Sequence, residues 1–279
     1  MAYDGAEKNT IREMLRAYGL SPNKQLGQNF LCDKNAADAI VRAAGDLSQN
    51  TVLEIGPGLG ALTTRLLDGA KRVVAIEIDD GLFRALSQQL GERETLTLIH
   101  GDALKENLPA LLGTVPQKVV GNLPYYITTP LILRCIKDLP GADTLVLMMQ
   151  REVAQRLTAM GGKAYGSLSI LVQYHMDVSE VMTLSPQCFY PAPTVESTVV
   201  KFIRRPYPIQ AADADMLERV ARAAFAMRRK TIYNNLITQF DRVRVQSALA
   251  AVGMEPRTRA EQVPPDGFVH LANAFSRLS

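Results

Sequence analysis

The stretch that decides the fold is "VLEIGPGLGALT", residues 52–63. It starts as a short apolar strand, turns through Gly56, Gly58 and Gly60, and continues into a helical sequence. Glycines at such a turn let the backbone approach a ligand closely, and the start of the following helix presents free N–H groups. The stretch therefore predicts a strand, a ligand-binding turn and a helix, with all three glycines beside the ligand.

Strand-like and helical segments alternate after this first strand. The apolar segments that predict strands are "TVLEIG", "RVVAIEID", "LTLIHGDAL", "KVVGNLP" and "TLVLMMQ". Strands that alternate with helices indicate right-handed crossovers and a parallel sheet covered on both faces. Two later segments, "DVSEVMTL" and "VESTVVKF", are so close together that they predict an antiparallel hairpin at the sheet edge. The predicted fold class is α/β and Rossmann-like, and such sheets bind ligands at the carboxyl ends of their strands.

The sequence after about residue 205 has only helical patterns. We therefore predict a catalytic α/β domain over residues 1–204, a linker at "RRPYP" and a small all-helical domain over residues 205–279. Residues 201–279 carry 13 Lys and Arg against 7 Asp and Glu, whereas residues 1–200 carry 18 against 21. A basic C-terminal part favours a polyanionic partner, although a solvated basic helix surface has the same charge pattern.

The composition is that of an ordinary globular protein, with 279 residues, 47% of them hydrophobic and 21% charged. No run of about 18 apolar residues predicts a membrane span, and the start does not resemble a secretory signal. Cys32, Cys135 and Cys188 are far apart in the sequence, and so are the three histidines, so we expect neither a disulfide framework nor a metal site. These features predict a cytoplasmic protein. No oligomer interface is legible, and we expect a monomer.

Acidic residues end the second and third predicted strands. Glu77 comes 21 residues after Gly56, where a carboxylate can accept hydrogen bonds from both hydroxyls of a ribose. Gly56, Gly58 and Ala61 also satisfy the dinucleotide fingerprint, so the turn and Glu77 alone fit an NAD enzyme as well. Asp102 follows the third strand, where enzymes that use S-adenosylmethionine (AdoMet) accept a hydrogen bond from the adenine amino group. Asp102 therefore favours AdoMet as the cofactor.

The fourth predicted strand ends in "NLPY", residues 122–125. An adenine amino group is a poor nucleophile because its lone pair is delocalised into the ring. Neutral carbonyl acceptors at its two N–H groups can hold it with the lone pair facing a methyl donor. Asn122 can supply one acceptor and a backbone carbonyl fixed by Pro124 the other, while Tyr125 can stack on the base. The segment predicts N-methylation of adenine, although in isolation it also reads as a strand end with a turn.

The sequence resembles the ribosomal RNA adenine dimethylases. The resemblance covers residues from about 20 to 240, and the motifs that carry it are "NKQLGQNFL", "VLEIGPGLGALT", "VVAIEID", "GDAL", "GNLPYYI", "QREVAQRL" and "CFYPAPTVESTVVKF". Within the family the chain looks most like the enzymes of the small ribosomal subunit. The resemblance implies a class I AdoMet-dependent methyltransferase fold, and transfer of methyl groups to N6 of two adjacent adenosines near the 3′ end of 16S rRNA during subunit biogenesis.

The resemblance also assigns residues. It places cofactor contacts at Asn29 and Leu31, in the segment "NKQLGQNFL", whose polar residues and single glycine predict a loop. It places further cofactor contacts at Gly56, Glu77, Asp102 and Asn122. It makes Asn122 the amine holder and Tyr125 the stacking ring, and it puts a second aromatic ring, Phe189, near the target base. Phe189 also reads as a core side chain beneath a proline-rich loop. The cluster Arg228, Arg229 and Lys230 is assigned to ribosomal RNA phosphates, against the alternative of a solvated helix end.

Three alternatives compete with this interpretation. The sister enzymes that methylate 23S rRNA and confer macrolide resistance share most of the motifs, but they typically read "NIPY" where this chain reads "NLPY". A non-catalytic RNA-binding factor on the same fold is disfavoured because Glu77, Asp102 and Asn122 are all present. An NAD-linked oxidoreductase has no use for the "NLPY" segment.

Overall fold

The computed structural model describes residues 3–23, 25–113, 117–124 and 127–278. The helices are α1 (Lys8–Ala17), α2 (Lys34–Ala43), α3 (Thr63–Gly69), α4 (Asp80–Leu90), α5 (Leu108–Leu112), α6 (Thr128–Asp138), α7 (Arg151–Thr158), α8 (Ser167–His175), α9 (Ala214–Ala224), α10 (Ile232–Leu236), α11 (Arg242–Ala251) and α12 (Pro265–Arg277). The strands are β1 (Phe30–Leu31), β2 (Thr51–Ile55), β3 (Arg72–Glu77), β4 (Leu96–His100), β5 (Gln117–Asn122), β6 (Ala142–Gln150), β7 (Met176–Leu184), β8 (Phe189–Tyr190) and β9 (Ser197–Arg204). Among the helices in these ranges, none is both long and apolar enough to cross a membrane.

A seven-stranded sheet has the strand order β4-β3-β2-β5-β6-β9-β7. The first five of these strands pair in parallel, and β9 is antiparallel to β6. The predicted α/β class is confirmed, and β7 and β9 are neighbours at the sheet edge. The chain order reverses between β2 and β5, which is the point where open sheets of this kind bind ligands.

The central strands form where the sequence is mostly apolar. Every residue of β2 is buried, as are five of the six residues of β3, because helices cover both faces of a parallel sheet. Aspartates begin two of the covering helices. The Asp33 side chain accepts a hydrogen bond from the Ala36 N–H at the start of α2, and Asp79 accepts one from the Leu82 N–H at the start of α4.

A two-stranded sheet brings distant parts of the chain together. In β1 and β8, Phe30 is the antiparallel partner of Tyr190, and Leu31 is the partner of Phe189. The "NKQLGQNFL" segment, predicted as a loop, therefore ends in a short strand. A strand of two residues has no periodicity of its own, so the pattern that predicts longer strands cannot reveal it.

The chain divides into two compact units at the predicted boundary, between residues 204 and 205, and at two places earlier in the chain. The first unit holds residues 1–154 and 179–204, and the second holds residues 155–178 and 205–279. The difference lies in residues 155–178, which contain α8. Helix α8 packs against α9 and α12, and its Ile170 and Tyr174 are part of the same hydrophobic cluster as those helices.

The second unit is held together by one hydrophobic cluster around α9. This helix packs against α8, α10 and α12. Fully buried side chains from three of the helices meet in the cluster, among them Val220, Leu236, Phe268 and Phe275. At about 25 cal/mol per Å² of buried apolar surface, aromatic side chains of this size contribute much of the hydrophobic stabilisation of a small unit.

Candidate cofactor and active site

Four neighbouring strands of the first unit end on the predicted site residues. In sheet order, Asp102 follows β4, Glu77 ends β3, Gly56 follows β2 and Asn122 ends β5. These four residues line one pocket with about 1170 Å³ of empty space, part of which is open to solvent. The parallel arrangement causes this convergence, because it brings the carboxyl ends of all four strands to the same edge of the sheet.

The glycine turn shapes one wall of the pocket. Gly56 has a φ of 67° and Gly58 a φ of 56°, both in the left-handed region where glycine is favoured, and both line the pocket. A Cβ atom on Gly58 would lie 3.3 Å from the Phe30 ring. Gly60 does not line the pocket, because its Cα faces α4, where a Cβ would lie 2.8 Å from the Leu86 side chain. The geometry thus gives Gly60 a close packing contact with α4, and its contact with the cofactor stays a prediction.

The Glu77 carboxylate is held in place by backbone N–H groups. Oε2 accepts a hydrogen bond from the Gly58 N–H and Oε1 accepts one from the Asp79 N–H, each at 3.0 Å. The residue is only 4% exposed. Burial raises the pKa of Glu77, and the two backbone donors act in the opposite direction. The carboxylate is therefore fixed on the pocket wall with lone pairs left for a ligand's hydroxyl groups.

Asp102 begins a tight turn after β4. Its Oδ1 accepts a hydrogen bond from the Leu104 N–H at 2.9 Å, and its backbone carbonyl accepts bonds from the N–H groups of Lys105 and Glu106. The Lys105 Nζ lies 3.4 Å from Oδ2, on a side chain that is 82% exposed. Asp102, which lines the pocket, therefore has one oxygen used by its own turn and another beside an exposed surface cation.

The amide of Asn122 is oriented by the β1 segment. Its Nδ2 donates a hydrogen bond to the backbone carbonyl of Asn29 at 3.0 Å, and the Asn29 Nδ2 donates one to the Gly27 carbonyl at 3.0 Å. Within the described residues, the Asn122 carboxamide oxygen accepts no hydrogen bond. An acceptor is thus left on the pocket side, at the end of β5. Reasoning from residue patterns alone missed this role of residue 29, because its contact crosses 93 positions of the chain.

Two other predicted residues of the active site lie on the same pocket. Pro124 lines it, and the Pro124 carbonyl accepts hydrogen bonds from the Ile127 N–H and the Thr128 hydroxyl, both at 3.2 Å. Phe189 also lines the pocket, although it is only 2% exposed and packs in the core beside Leu31. Phe189 is thus a core side chain on the pocket wall, and its place near the target base stays a prediction. The predicted stacking ring, Tyr125, lies outside the described residues.

Glu54 is a pocket residue that the sequence analysis did not single out. It lies in β2, is 1% exposed and lines the pocket. Its Oε2 atom has no hydrogen-bond partner within the described residues. Burial, together with the nearby charge of Glu77, raises the pKa of Glu54 to about 8. The sequence does contain a sign of this role, because Glu54 is the one carboxylate of a buried strand. A carboxylate without a partner is costly to bury.

The donor and acceptor set of this pocket fits AdoMet. Glu77 suits the ribose hydroxyls, and Asp102 suits an adenine amino group. The unpaired oxygen of Glu54 suits a cationic ligand, since a nearby positive charge favours the ionised carboxylate. The glycine turn supplies a close backbone approach between these groups.

The basic cluster lies in the second compact unit. Arg228, Arg229 and Lys230 are all exposed in the turn that connects α9 to α10. The Asn235 side chain, on α10, holds this turn through hydrogen bonds to Met227 in both directions. The cluster therefore lies on a turn held by hydrogen bonds, beyond the end of α9 at Ala224.

Comparison with known proteins yields close relatives over the whole chain. A "Ribosomal RNA small subunit methyltransferase A" from Geobacillus thermodenitrificans is 41% identical over 290 residues, which cover 100% of this chain and 99% of the relative. A protein of the same name from Moorella thermoacetica is 44% identical over 274 residues, which cover 94% and 95% of the two chains.

Solved structures share the fold. A dimethyladenosine transferase from Plasmodium falciparum matches with a TM-score of 0.74 at 28% identity, over 87% of this chain and 96% of that one. The 23S rRNA methyltransferase ErmE matches with a TM-score of 0.70 at 26% identity, over 89% and 100%. The family model described as "Ribosomal RNA adenine dimethylase" matches residues 19–277. Because this match spans nearly the whole chain, the protein belongs to the ribosomal RNA adenine dimethylase family, whose methyl donor is AdoMet.

Proposed function

We propose that the protein transfers methyl groups from AdoMet to N6 of two adjacent adenosines in a hairpin near the 3′ end of 16S rRNA, producing N6,N6-dimethyladenosine in the small ribosomal subunit or its precursor. The observation that carries the chemistry is the hydrogen bond from Asn122 to the Asn29 carbonyl, which leaves a carboxamide oxygen free at the pocket. The names of the most similar relatives support the small subunit as the substrate.

Asn122 acts by orienting the target amine. Its carboxamide oxygen accepts one N–H of the adenine amino group, and a backbone carbonyl near Pro124 accepts the other. Two neutral acceptors hold the nitrogen with its lone pair directed at the methyl group, without taking the proton before transfer. After the new N–C bond forms, the nitrogen loses a proton to solvent and can turn to present its lone pair for a second transfer.

The cofactor is held by residues of the four strand ends. Glu77 accepts the ribose hydroxyls, Asp102 accepts the adenine amino group, and the turn at Gly56 and Gly58 admits the ligand close to the backbone. Asn29 and Leu31 complete this wall from β1. Bound AdoMet supplies a methyl group on a positively charged sulfur, and the N6 lone pair displaces that sulfur as the leaving group.

The target base must leave its stack to reach the pocket, at a cost of a few kcal/mol. Stacking on aromatic side chains offsets such a cost by about 1–3 kcal/mol per base. We assign this role to Tyr125, with Phe189, a buried ring on the pocket wall, as a second aromatic contact.

The RNA is held in part by the basic turn of the second unit. Arg228, Arg229 and Lys230 are exposed side by side, as phosphate contacts require. We expect the enzyme to act as a monomer in the cytoplasm, where its proposed substrate assembles.

The function is tested by methyl transfer to two substrates. Purified protein is incubated with labelled AdoMet and either 30S particles that lack the modification or protein-free 23S rRNA. We expect label in the 30S reaction, and mass spectrometry of the 3′ fragment of 16S rRNA should show two adjacent dimethyladenosines. Label in 23S rRNA alone would instead assign the protein to the macrolide-resistance type of enzyme. Label in neither substrate would contradict both assignments.

A further inference from the structure

One arginine of the first unit connects a helix to the turn after β4, part of which lines the pocket. Arg134 lies on α6, the helix that starts four residues after Pro124. Its side chain reaches back to the turn after β4, where Nη1 donates to the Ala103 carbonyl at 2.7 Å and Nη2 donates to the Glu106 carbonyl. Its Nε donates to Asp138 at 2.9 Å on the next turn of the same helix. The side chain is only 19% exposed, so these bonds are largely shielded from water.

The two carbonyls belong to the turn that presents Asp102. Ala103 is the next residue along the chain and itself lines the pocket. Glu106 closes the turn, because its N–H donates to the Asp102 carbonyl at 3.0 Å. Arg134 therefore fixes the backbone on both sides of this turn, while Asp102 itself makes no contact with the guanidinium among the bonds described.

Bonding to both carbonyls of the turn requires an arginine. A guanidinium carries donors in a rigid planar fork that can serve two acceptors and a carboxylate at once. Asp138, on the next turn of α6, holds the guanidinium through Nε, so the side chain has little rotamer freedom left. A lysine at this position has a compact charge on a flexible stem and can be expected to serve only one of the two carbonyls.

We propose that Arg134 is a positioning residue that sets the Asp102 carboxylate for the 6-amino group of the cofactor's adenine, and so links the cofactor wall to the helix that follows the "NLPY" segment. This inference rests on the proposed function, because it takes Asp102 as the adenine acceptor. Arg134 touches neither the cofactor nor the reacting atoms, and it acts through the backbone of the turn.

The test measures selectivity for the amino group rather than activity. S-adenosylhomocysteine and its analogue without the 6-amino group are titrated into the full-length wild type, Arg134→Ala and Arg134→Lys. Arg204→Ala is the matched control, because Arg204 also donates to backbone carbonyls, those of Ile136, Leu139 and Ala142, at a place outside the pocket lining.

The wild type should bind the adenine ligand roughly 10- to 100-fold more tightly than the analogue, since the bond is made to a charged group. Arg134→Ala should lose about tenfold or more of that preference, mainly through weaker binding of the adenine ligand, and Arg134→Lys should fall between the two. Arg204→Ala should lower the melting temperature but keep the preference.

Three outcomes would overturn the proposal: an unchanged preference in folded Arg134→Ala or Arg134→Lys, equal loss of affinity for both ligands, or a wild type without any preference. In the last case, dimethylation of 30S particles by the same preparation would leave the proposed function standing. Conversely, a protein that shows the expected preferences but methylates neither RNA would remove the proposed function and keep the role of Arg134.

Discussion

Two buried polar side chains, one in each compact unit, differ in how completely they are hydrogen-bonded. Glu54 and Asn235 are both 1% exposed. Asn235 is fully paired, because its Nδ2 donates to the carbonyls of Ala224 and Met227 and its Oδ1 accepts from the Met227 N–H. Glu54 has an unpaired oxygen on the pocket wall. A paired group of this kind stabilises its own unit, whereas an unpaired one lowers stability and remains available to a ligand.

Asn122 has one paired and one unpaired polar atom, and its replacement should cause the largest loss of activity. Its amide nitrogen is paired with the Asn29 carbonyl and its oxygen is free. We expect Asn122→Ala to lower the rate of methyl transfer to 30S particles by about 10³-fold, the scale seen when one preorganised transition-state contact is lost. RNA affinity should stay near normal, because the target amine is the only part of the RNA that we assign to this side chain. Single-turnover transfer and equilibrium RNA binding measure the two quantities.

Asn50→Ala is the matched control. Asn50 is a buried asparagine of the first unit, and its Nδ2, like that of Asn122, donates to a backbone carbonyl, that of Asp46. Neither Asn50 nor Asp46 lines the pocket. It should retain the methyl-transfer rate. Near-normal dimethylation by Asn122→Ala would refute the role of this side chain, and equal losses in both variants would attribute the effect to folding.

Glu54 should make stability depend on pH, because burial raises its pKa to about 8 in the folded protein. Between about pH 4.5 and pH 8 the unfolded chain releases this proton and the folded chain keeps it. The folded state then binds more protons than the unfolded state, so the free energy of unfolding falls as pH rises across this window and levels off above it. We expect the decline to be on the order of 3 kcal/mol larger in the wild type than in Glu54→Gln.

Urea unfolding followed by circular dichroism at each pH from 5 to 9 measures this difference. The variant keeps Glu77, whose raised pKa acts in the same direction, so the difference between the two proteins isolates residue 54. Parallel stability curves for wild type and variant would show that Glu54 is already ionised in the folded protein.

The sequence predicted the parallel half of the fold and the strand ends that form the site, because both follow from local patterns. The apolar run of one strand ends in Glu77 and that of another ends near Asn122, so parallel pairing places both side chains at one sheet edge whatever the details of packing. The site therefore depended mainly on the order of short segments along the chain, which a single sequence displays.

The features that escaped prediction depend on contacts between distant segments. The pairing of Leu31 with Phe189 crosses more than 150 positions and involves strands of two residues. The membership of α8 in the second unit is decided by packing rather than by its own sequence. The "DMLERVARAAFAMRR" segment is helical only to Ala224, because Asn235 binds the backbone beyond it in a turn.

Asn235 should matter for stability, in contrast to Glu54. Asn235→Ala leaves the Met227 N–H and two carbonyls without their partner inside the second unit, and we expect it to lower the free energy of unfolding by about 2 kcal/mol. The loss should be similar at pH 5 and pH 8, because no titrating group is removed. Asn234→Ala, on the exposed side of the same helix, is the matched control and should change stability little. A loss confined to high pH would contradict this division between the two residues.

Changes in the basic turn that Asn235 holds should have the smallest effect, a weakening of RNA binding that disappears at high salt. Replacing Arg228, Arg229 and Lys230 by Gln should weaken RNA binding about tenfold at low salt and reduce the slope of log affinity against log salt by about 2. Arg222→Gln with Arg257→Gln is the matched control, because each of these arginines already pairs with a carboxylate, Glu218 and Glu255 respectively. If the control changes the slope as much as the basic turn does, the second unit attracts RNA only through its net charge, and the ordered turn has no special part in it.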